Sequence, residues 1–383
     1  MSQHNYSLGE FGWMIGDKVR MDPYSAAIAR SVKPNDAVLD LGCGPGVFAL
    51  LACKAGARRV YAIDTNGVVE FGRQLAAANG FSREIIFMCG DSRQIHLPER
   101  VNVIVSDIRG VLPLISHAVD TLTDARDRFL AEGGQLLPSR DTLLAAVVEL
   151  PKTYRELSQV WRATPQLDLS QGLPLVLNTI QRLHIKPDQV VSEPRPWHVI
   201  DYAVGAKTSA QARIELPITR TAIGHGLGIW FQTQLIEDIG YSTAPRAEET
   251  VYGHLLLPWL EPVSLREGEI CSVDLRAHLV GNDYVWQWET NIAATTDHPE
   301  IRFVQSSFYG SLFPPSLLKK RAMGFVPVLK ELGQAERWIL QAMDGKRSLE
   351  DIAAEAARRF PHVFRRVEDA FNHAAEIAEK FSR

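Results

Sequence analysis

The feature that most constrains this chain of 383 residues is a glycine-rich turn between two apolar runs. The segment Val38–Gly46 reads VLDLGCGPG, and a second run, Val60–Ile63, ends at the acid Asp64. An apolar run, a glycine turn, a helix and a second apolar run together form the pattern of a βαβ unit. The glycines let the backbone approach a ligand, and an acid at the end of the second strand can accept hydrogen bonds from two ribose hydroxyls.

The spacing of the glycines indicates which ligand this turn binds. A dinucleotide site reads G-x-G-x-x-G and directs a helix N-terminus at a pyrophosphate. Here Gly42, Gly44 and Gly46 follow Asp40 as D-L-G-C-G-P-G, a pattern that holds S-adenosylmethionine (SAM), which has no phosphate. The sequence therefore predicts a SAM site that includes Asp40, the three glycines and Asp64, and it disfavours a hydride-transfer enzyme. A structural turn without a ligand is the alternative.

Strand-like and helix-like segments alternate from residue 38 to about 149. This alternation predicts an α/β, Rossmann-like domain with a parallel sheet, in which ligands bind beyond the carboxyl ends of the strands. The predicted strands are 37–41, 60–64, 85–89, 101–106 and 143–149, and the predicted helices are 46–56, 67–79 and 117–130.

Polar residues follow the third and fourth predicted strands. Asp91 and Ser92 come after the third strand, where a carboxylate can accept a hydrogen bond from the adenine amino group; the alternative is a turn acid. Asp107 comes after the fourth strand with Arg109 in the same loop, and we expect both to face the reaction zone.

Composition and charge exclude several classes of protein. The chain is 46% hydrophobic and 22% charged, with a net charge of −4, so nucleic acid is not an expected partner. The polar first ten residues lack the apolar core of a signal peptide, and no run is apolar enough to span a membrane, so a cytoplasmic location is expected. The four cysteines form no C-x-x-C pair, and neither a metal site nor a disulfide framework is predicted.

Over roughly residues 5–310 the chain resembles the protein arginine methyltransferases. The segment Met14–Tyr24 reads MIGDKVRMDPY and resembles the family's N-terminal helix, whose arginine pairs with the SAM carboxylate. The resemblance assigns that role to Arg20; a surface arginine is the alternative. Tyr6 and Phe11 fall where the family has aromatic residues that cover the cofactor.

The resemblance also predicts the domain organisation. Leu97–Asp107 is similar to the family's entry into strand four, and the short strands beyond Pro138 are similar to its C-terminal β-barrel. We therefore expect a SAM-binding domain at 1–140 and a barrel substrate domain at 141–313. An insertion at 151–189 occupies the place of the family's dimerisation arm, which implies a homodimer.

The acceptor half departs from the family pattern. The family's active loop supplies two glutamates that clamp the guanidinium of the substrate, whereas this chain has Asp107 and Ser116 at those positions and Arg109 between them. The family's Thr-His-Trp in the barrel is replaced by TVY at Thr250–Tyr252.

These departures leave the acceptor open. Repulsion from Arg109 disfavours an arginine acceptor, and a carboxylate acceptor attracted to Arg109, methylated on oxygen, is slightly favoured. Alternatively Asp107 or His117 accepts a proton from a nitrogen acceptor of a peptide, or of a small amino or guanidino compound. Arg109 pointing to solvent, Asp107 capping a strand and His117 as a surface residue are the plainer interpretations. A SAM-binding scaffold without catalysis is the alternative from another class.

The composition changes near Pro315, where Pro314–Pro315 and Lys319–Arg321 indicate a linker. The segment Leu340–Ala353 reads LQAMDGKRSLEDIA and is similar to the PqqD-like peptide chaperones. The resemblance implies a mostly helical, winged-helix-like domain at 325–383. Such a domain binds the leader peptide of a ribosomally made natural product by adding it as a strand, and the substrate would then be such a precursor peptide. A domain that only stabilises the protein is the alternative.

Overall fold

The predicted βαβ unit lies in a five-stranded sheet in which all neighbouring strands are parallel. The fold was analysed in a computed structural model that describes residues 6–205, 207–281, 283–294, 299–312 and 314–382. The strand order is β3-β2-β1-β4-β5. The strands are β1 (Ala37–Leu41), β2 (Arg59–Asp64), β3 (Ile85–Cys89), β4 (Val101–Ser106) and β5 (Leu130–Leu137). Each residue of β1 is buried, as expected of a central parallel strand whose two faces are both covered.

Helices follow the first, second and fourth strands, as predicted. They are α3 (Val47–Lys54), α4 (Val69–Ala78) and α5 (Ala118–Phe129). Two more helices, α1 (Leu8–Gly16) and α2 (Lys18–Ser31), precede the sheet. The side chain of Ser7 caps α1 in a capping box with Glu10, and Asp17 caps α2 by accepting from the Arg20 amide.

The prediction of 143–149 as the fifth strand of this sheet was wrong. The fifth strand is β5, which reads LAEGGQLL and contains two glycines and two polar residues. The apolar run after Asp141 instead belongs to β6 (Arg140–Val148), which begins a second sheet. An apolar run indicates a strand, but it does not indicate which sheet the strand joins.

Residues 1–311 form one compact unit, called the first unit below. Its second half is antiparallel and consists of two sheets, where the resemblance implied one barrel. The larger sheet has the order β7-β12-β10-β6-β8 with β11 paired to β10, and the smaller sheet has the order β15-β14-β13-β9. The remaining strands are β7 (Gln181–Leu183), β8 (Arg195–Asp201), β9 (Ser209–Pro217), β10 (Ala222–Ile236), β11 (Ile239–Ser242), β12 (His254–Leu265), β13 (Ile270–Val280), β14 (Asp283–Ile292) and β15 (Ile301–Ser306). One continuous apolar core joins the parallel sheet to both of these sheets.

The insertion at 151–189 is partly helical. It contains α6 (Pro151–Arg162) and α7 (Leu173–Leu177), and its last strand, β7, pairs with β12. The end of the insertion is therefore fixed to the larger sheet. Its role as a dimerisation arm stays a prediction.

Residues 312–383 form a second compact unit with its own apolar core; the sequence placed its start at 325. The elements are α8 (Pro315–Lys320), α9 (Glu331–Ala342), α10 (Leu349–Arg359) and α11 (Val367–Phe381). Ser348 caps α10 by accepting from the Asp351 amide at 3.1 Å, as the sequence pattern predicted. Among the residues of this unit that the structure describes there is no strand. The winged-helix detail is therefore not confirmed, and a peptide adding as a strand would find no edge strand here.

In the ranges of the chain that the structure describes, no helix is both long enough and apolar enough to cross a bilayer. No cluster of three or more histidine, cysteine, aspartate or glutamate residues in those ranges could hold a metal ion.

Replacing Ile339 by alanine tests whether the second unit depends on its own core. Ile339 is fully buried there, and its truncation should cost about 2–5 kcal/mol. Hydrogen exchange across α9, α10 and α11 should accelerate accordingly. The matched control is Leu340→Ala, because Leu340 is 41% exposed and its loss should change stability by less than about 0.5 kcal/mol. Equal protection in the two variants would contradict this core.

Candidate functional site

A cavity of about 360 Å³ lies at the carboxyl ends of the parallel strands, within the roughly 300–1,000 Å³ typical of small-molecule sites. Tyr6, Phe11 and Met14 line one side of it, the side formed by the N-terminal segment and α1. The ends of the parallel strands line the other side with Gly42, Asp64, Asp91, Ser92 and Asp107 among others, and Tyr252, just before β12, also lines the cavity. The structure thus brings together Gly42, Asp64, Asp91 and Ser92, which the sequence assigned to cofactor binding, around one cavity.

The glycine loop passes close to its neighbours. Gly42 and Gly44 have φ angles of +71° and +52°, in the region that favours glycine. A Cβ atom on Gly42 would lie 2.1 Å from the Ile108 side chain, and one on Gly44 would lie 2.7 Å from the Phe11 ring. Larger residues would therefore displace the cavity wall, which explains the glycine pattern.

Asp64 lies where a ribose-binding acid is expected. Its Oδ2 accepts from the Gly44 amide at 2.7 Å, and its Oδ1 accepts from the Asn66 amide at 2.8 Å. A carboxylate has about four lone-pair positions, so each oxygen can still accept another hydrogen bond from a ligand in the cavity.

Asp91 and Ser92 lie at the end of β3 and line the same cavity. Hydrogen bonds from the Arg93 guanidinium, the shortest 2.7 Å long, lower the pKa of Asp91 and keep it ionised. Ser92 is buried, and its carbonyl accepts from Arg128 at 2.6 Å. These contacts fix the loop that a bound adenine would face.

Two predicted ligand residues lie beneath the loop instead of at the cavity wall. Asp40 is fully buried and accepts from the Ala49 amide at 2.8 Å, which ties β1 to α3. Burial raises the pKa of Asp40 to about 8, although the Ala49 hydrogen bond opposes this shift. Gly46 is the N-cap of α3, and the space beside its Cα is filled by the Phe87 ring. Neither residue lines the cavity, and both shape the loop; their assignment to cofactor binding stays a prediction.

Asp107, in the loop after β4, has three donors around its carboxylate. Arg20 Nη1 donates to Oδ2 at 2.6 Å, Arg109 Nη2 donates to Oδ1 at 3.0 Å, and the Tyr252 hydroxyl donates to Oδ2. Burial alone would raise the pKa of Asp107, but Arg109, Arg20 and the Tyr252 hydrogen bond together hold it below the usual range. An ionised carboxylate therefore lines the cavity.

Arg109 neither points to solvent nor lines the cavity, so both interpretations from the sequence were wrong. Its side chain is fully buried. Nη1 donates to Asp141 at 2.7 Å and to Thr233 at 2.6 Å, and Nη2 donates to the hydroxyls of Tyr24 and Tyr241 at 2.9 and 2.8 Å. Asp107 is a further partner of Nη2, so both terminal nitrogens are bonded. Because the buried side chain does not line the cavity, it cannot anchor an acceptor there.

The remaining predicted residues lie nearby. Arg20 lines a small pocket beside Gly42 and Gly44, a position that suits the predicted contact with the SAM carboxylate, which stays a prediction. His117 is the N-cap of α5, and its Nδ1 lies 3.6 Å from Asp120, away from the cavity wall. The catalytic role predicted for His117 therefore has no geometric support.

Sequence reasoning missed Tyr252 and Asp141. Tyr252 lines the cofactor cavity and also a second, adjoining cavity of about 950 Å³. The resemblance drew attention to Thr250–Tyr252, but only because a histidine was absent there. Nothing in the sequence connects Asp141 to Arg109, which is 32 residues away.

Comparison with known proteins agrees with this geometry. The family model of the ribosomal protein L11 methyltransferase (PrmA) matches residues 25–140, which include the glycine loop and all five parallel strands. The chain is 30% identical over 241 residues to a probable protein arginine N-methyltransferase 6 of Arabidopsis thaliana. It is 25% identical over 267 residues to protein arginine N-methyltransferase 1 of Dictyostelium discoideum. These alignments cover 60% and 68% of this chain, and 55% and 78% of the two relatives.

Solved structures share the fold of the first unit. The Trypanosoma brucei PRMT1 enzyme–prozyme heterotetrameric complex with AdoHcy aligns with a TM-score of 0.73, at 21% identity over 78% of this chain and 98% of that one. Arabidopsis thaliana protein arginine methyltransferase 10 aligns with a TM-score of 0.69, at 21% identity over 78% and 97%. The chain is a SAM-dependent methyltransferase that resembles protein arginine methyltransferases. The chain spans about half of the length of the first of these relatives.

Replacing Arg109 by methionine tests how much this methyltransferase depends on its buried ion pair. Asp141 would be left charged and fully buried without its partner, which should lower the free energy of unfolding by about 3–5 kcal/mol. The control is Arg140→Met, because Arg140 pairs with Asp201 at the surface and such pairs contribute about 0–1 kcal/mol. Urea denaturation measures both, and equal losses would contradict the role of the pair.

Proposed function

We propose that this methyltransferase transfers the methyl group of SAM to a side-chain nitrogen of a peptide or protein. The observation that carries the proposal is the ionised Asp107, which lines the cofactor cavity next to the larger cavity through which an acceptor can enter. A carboxylate there attracts a nitrogen that donates hydrogen bonds, and it directs the lone pair of that nitrogen towards the methyl group.

The residues that line the cavity suit SAM. Gly42 and Gly44 would lie along the cofactor, Asp64 would accept from its ribose, Asp91 and Ser92 would face its adenine, and Arg20 would pair with its carboxylate. When bound, SAM would supply a methyl group on a positively charged sulfur. A neutral acceptor nitrogen would form the new bond with its lone pair, the sulfur would keep the electrons of the broken bond, and the methylated nitrogen would then release a proton to solvent.

The charges at the site favour nitrogen over oxygen as the acceptor. A carboxylate acceptor would be repelled by Asp107, and Arg109, expected from the sequence to attract it, is buried and paired with Asp141 and Asp107. The O-methylation favoured by the sequence is therefore not part of this proposal. The relatives are named as arginine N-methyltransferases, which supports a nitrogen acceptor.

We also propose that the second unit delivers the peptide that carries the acceptor. Its helices form a separate core while apolar side chains such as Leu332, Leu340 and Phe371 are more than one-third exposed, as expected of a unit that binds a partner. A leader peptide of a natural-product precursor is one such partner. The insertion 151–189 is the proposed contact for a homodimer.

A second candidate role is that of a SAM-binding subunit that requires a partner for turnover. Both oxygens of Asp107 already accept hydrogen bonds, and Ser116 stands where the second acid of the resemblance would be. One structure of similar fold is an enzyme–prozyme complex, which is consistent with such a role.

Replacing Asp107 by asparagine tests the nitrogen-methylation proposal. Loss of the negative charge should lower kcat for transfer from labelled SAM to a peptide by about 100-fold or more. The label should be stable to mild alkali, since an N-methyl group is not hydrolysed as a methyl ester is. The control is Asp120→Asn, because Asp120 lies outside the cavity on α5. Label released as methanol would contradict the proposal, and a wild-type chain that binds SAM without turnover would favour the partner-dependent role.

Removing residues 312–383 tests peptide delivery. The truncated chain should retain the SAM affinity of the full chain because the cofactor cavity lies entirely within the first unit. Its KM for a long peptide should rise by about tenfold or more, whereas its KM for a short acceptor should stay unchanged. Steady-state kinetics with both acceptors measures this. An unchanged KM for the long peptide would show that the second unit does not deliver it.

A further inference from the structure

Tyr252 lies at the junction of the two cavities. Its ring packs against Phe231, with the ring centroids 5.8 Å apart, and its side chain is largely buried. Its hydroxyl donates to Asp107 Oδ2. The hydroxyl is thus fixed at the place where an acceptor nitrogen entering from the larger cavity would meet the cofactor cavity.

The hydrogen bonds around Asp107 leave little room for an acceptor. Oδ2 accepts from both Arg20 and Tyr252, and Oδ1 accepts from Arg109. Because a carboxylate offers about four lone-pair positions, one position remains, and it is on Oδ1. Asp107 can therefore accept a single hydrogen bond from an acceptor.

The Tyr252 oxygen offers a further acceptor position. Its proton is committed to Asp107, so its lone pairs face the other groups around it. Tyr241 lies close to Tyr252, since both rings pack against Phe231. A phenol oxygen that donates its proton can still accept hydrogen bonds on its lone pairs, and an entering nitrogen can supply one.

We infer that the Tyr252 hydroxyl is the second acceptor-binding group of the site, and that with Asp107 it selects an alkyl amine over a guanidinium. This inference rests on the proposed function. An alkylammonium first loses one proton to solvent. The neutral amine nitrogen then donates one hydrogen bond to Asp107 Oδ1 and another to the Tyr252 oxygen, and its lone pair is left for the methyl group. A guanidinium is bound best by two parallel bonds to both oxygens of one carboxylate, or by a second acid. Asp107 does not have two open oxygens, and Ser116 does not supply the second acid.

The first experiment is Tyr252→Phe, which keeps the ring and removes the hydroxyl. Transfer from labelled SAM to a lysine-containing peptide should fall by about tenfold or more in kcat/KM, because one hydrogen bond to the nitrogen and one to Asp107 are lost. The affinity for SAM should stay within about twofold, because other residues supply the proposed cofactor contacts. The control is Tyr154→Phe, which removes a largely buried phenol that donates to the Leu260 carbonyl at 2.9 Å, outside the site.

The pH profile separates a role at the site from a role in folding. The Tyr252 hydrogen bond is one of the interactions that lower the pKa of Asp107, so its loss raises that pKa. Activity requires the ionised form and is lost as the pH falls through the pKa, so the acid limb of kcat/KM should move to higher pH in Tyr252→Phe and not in Tyr154→Phe. The other charged and titratable groups that face this pair are Arg20, Tyr24, Arg109, Asp141 and Tyr241. They are the same in both variants, so they do not produce the difference. A wild-type profile and an unchanged kcat/KM in Tyr252→Phe would overturn the inference.

The second experiment compares two peptides that differ only in having lysine or arginine at the acceptor position. The lysine peptide should have a kcat/KM about tenfold or more above that of the arginine peptide in the wild-type protein. Preference for arginine would overturn the selection of an amine while leaving nitrogen methylation intact. Transfer to neither peptide, with SAM bound, would overturn the proposed function and this inference together.

Discussion

The structure of the site depends on one buried chain of charges, in which Arg109 links Asp107 to Asp141. Asp107 belongs to the loop after β4, and Asp141 lies on the first strand of the larger antiparallel sheet. A guanidinium at full burial is stable only if its charge is matched and its donors are bonded. The two ion pairs therefore hold the loop after β4 against the antiparallel half and keep the negative charge of Asp107 at the cavity.

These two ion pairs explain why Asp107 and Arg109, in one loop, have different roles. Arg109 is the more deeply buried residue and acts through its neighbours, whereas Asp107 lines the cavity and can meet an acceptor. Tyr252 lies in the segment before β12, and its hydroxyl donates to the Asp107 carboxylate. The acceptor site is thus assembled from the parallel and antiparallel halves, and neither half contains it alone.

Sequence reasoning was most successful where function depends on local backbone geometry. The turn at Gly42 and Gly44, the strand that ends at Asp64 and the loop at Asp91 were found from spacing, since strand ends in a parallel sheet meet at one edge. It failed for β5, whose sequence LAEGGQLL has little apolar periodicity, and whose place in the sheet depends on pairing with β4.

The sequence by itself determined the SAM-binding half, because the glycine conformations and the acid at the end of β2 are encoded by neighbouring residues. It could not decide the acceptor half. The role of Arg109 depends on Asp141, Thr233 and Tyr241, which lie 32, 124 and 132 residues away and meet it only in the folded chain. Only the tertiary structure therefore decided that its positive charge is neutralised inside the protein, and that the charge lining the cavity is the negative charge of Asp107.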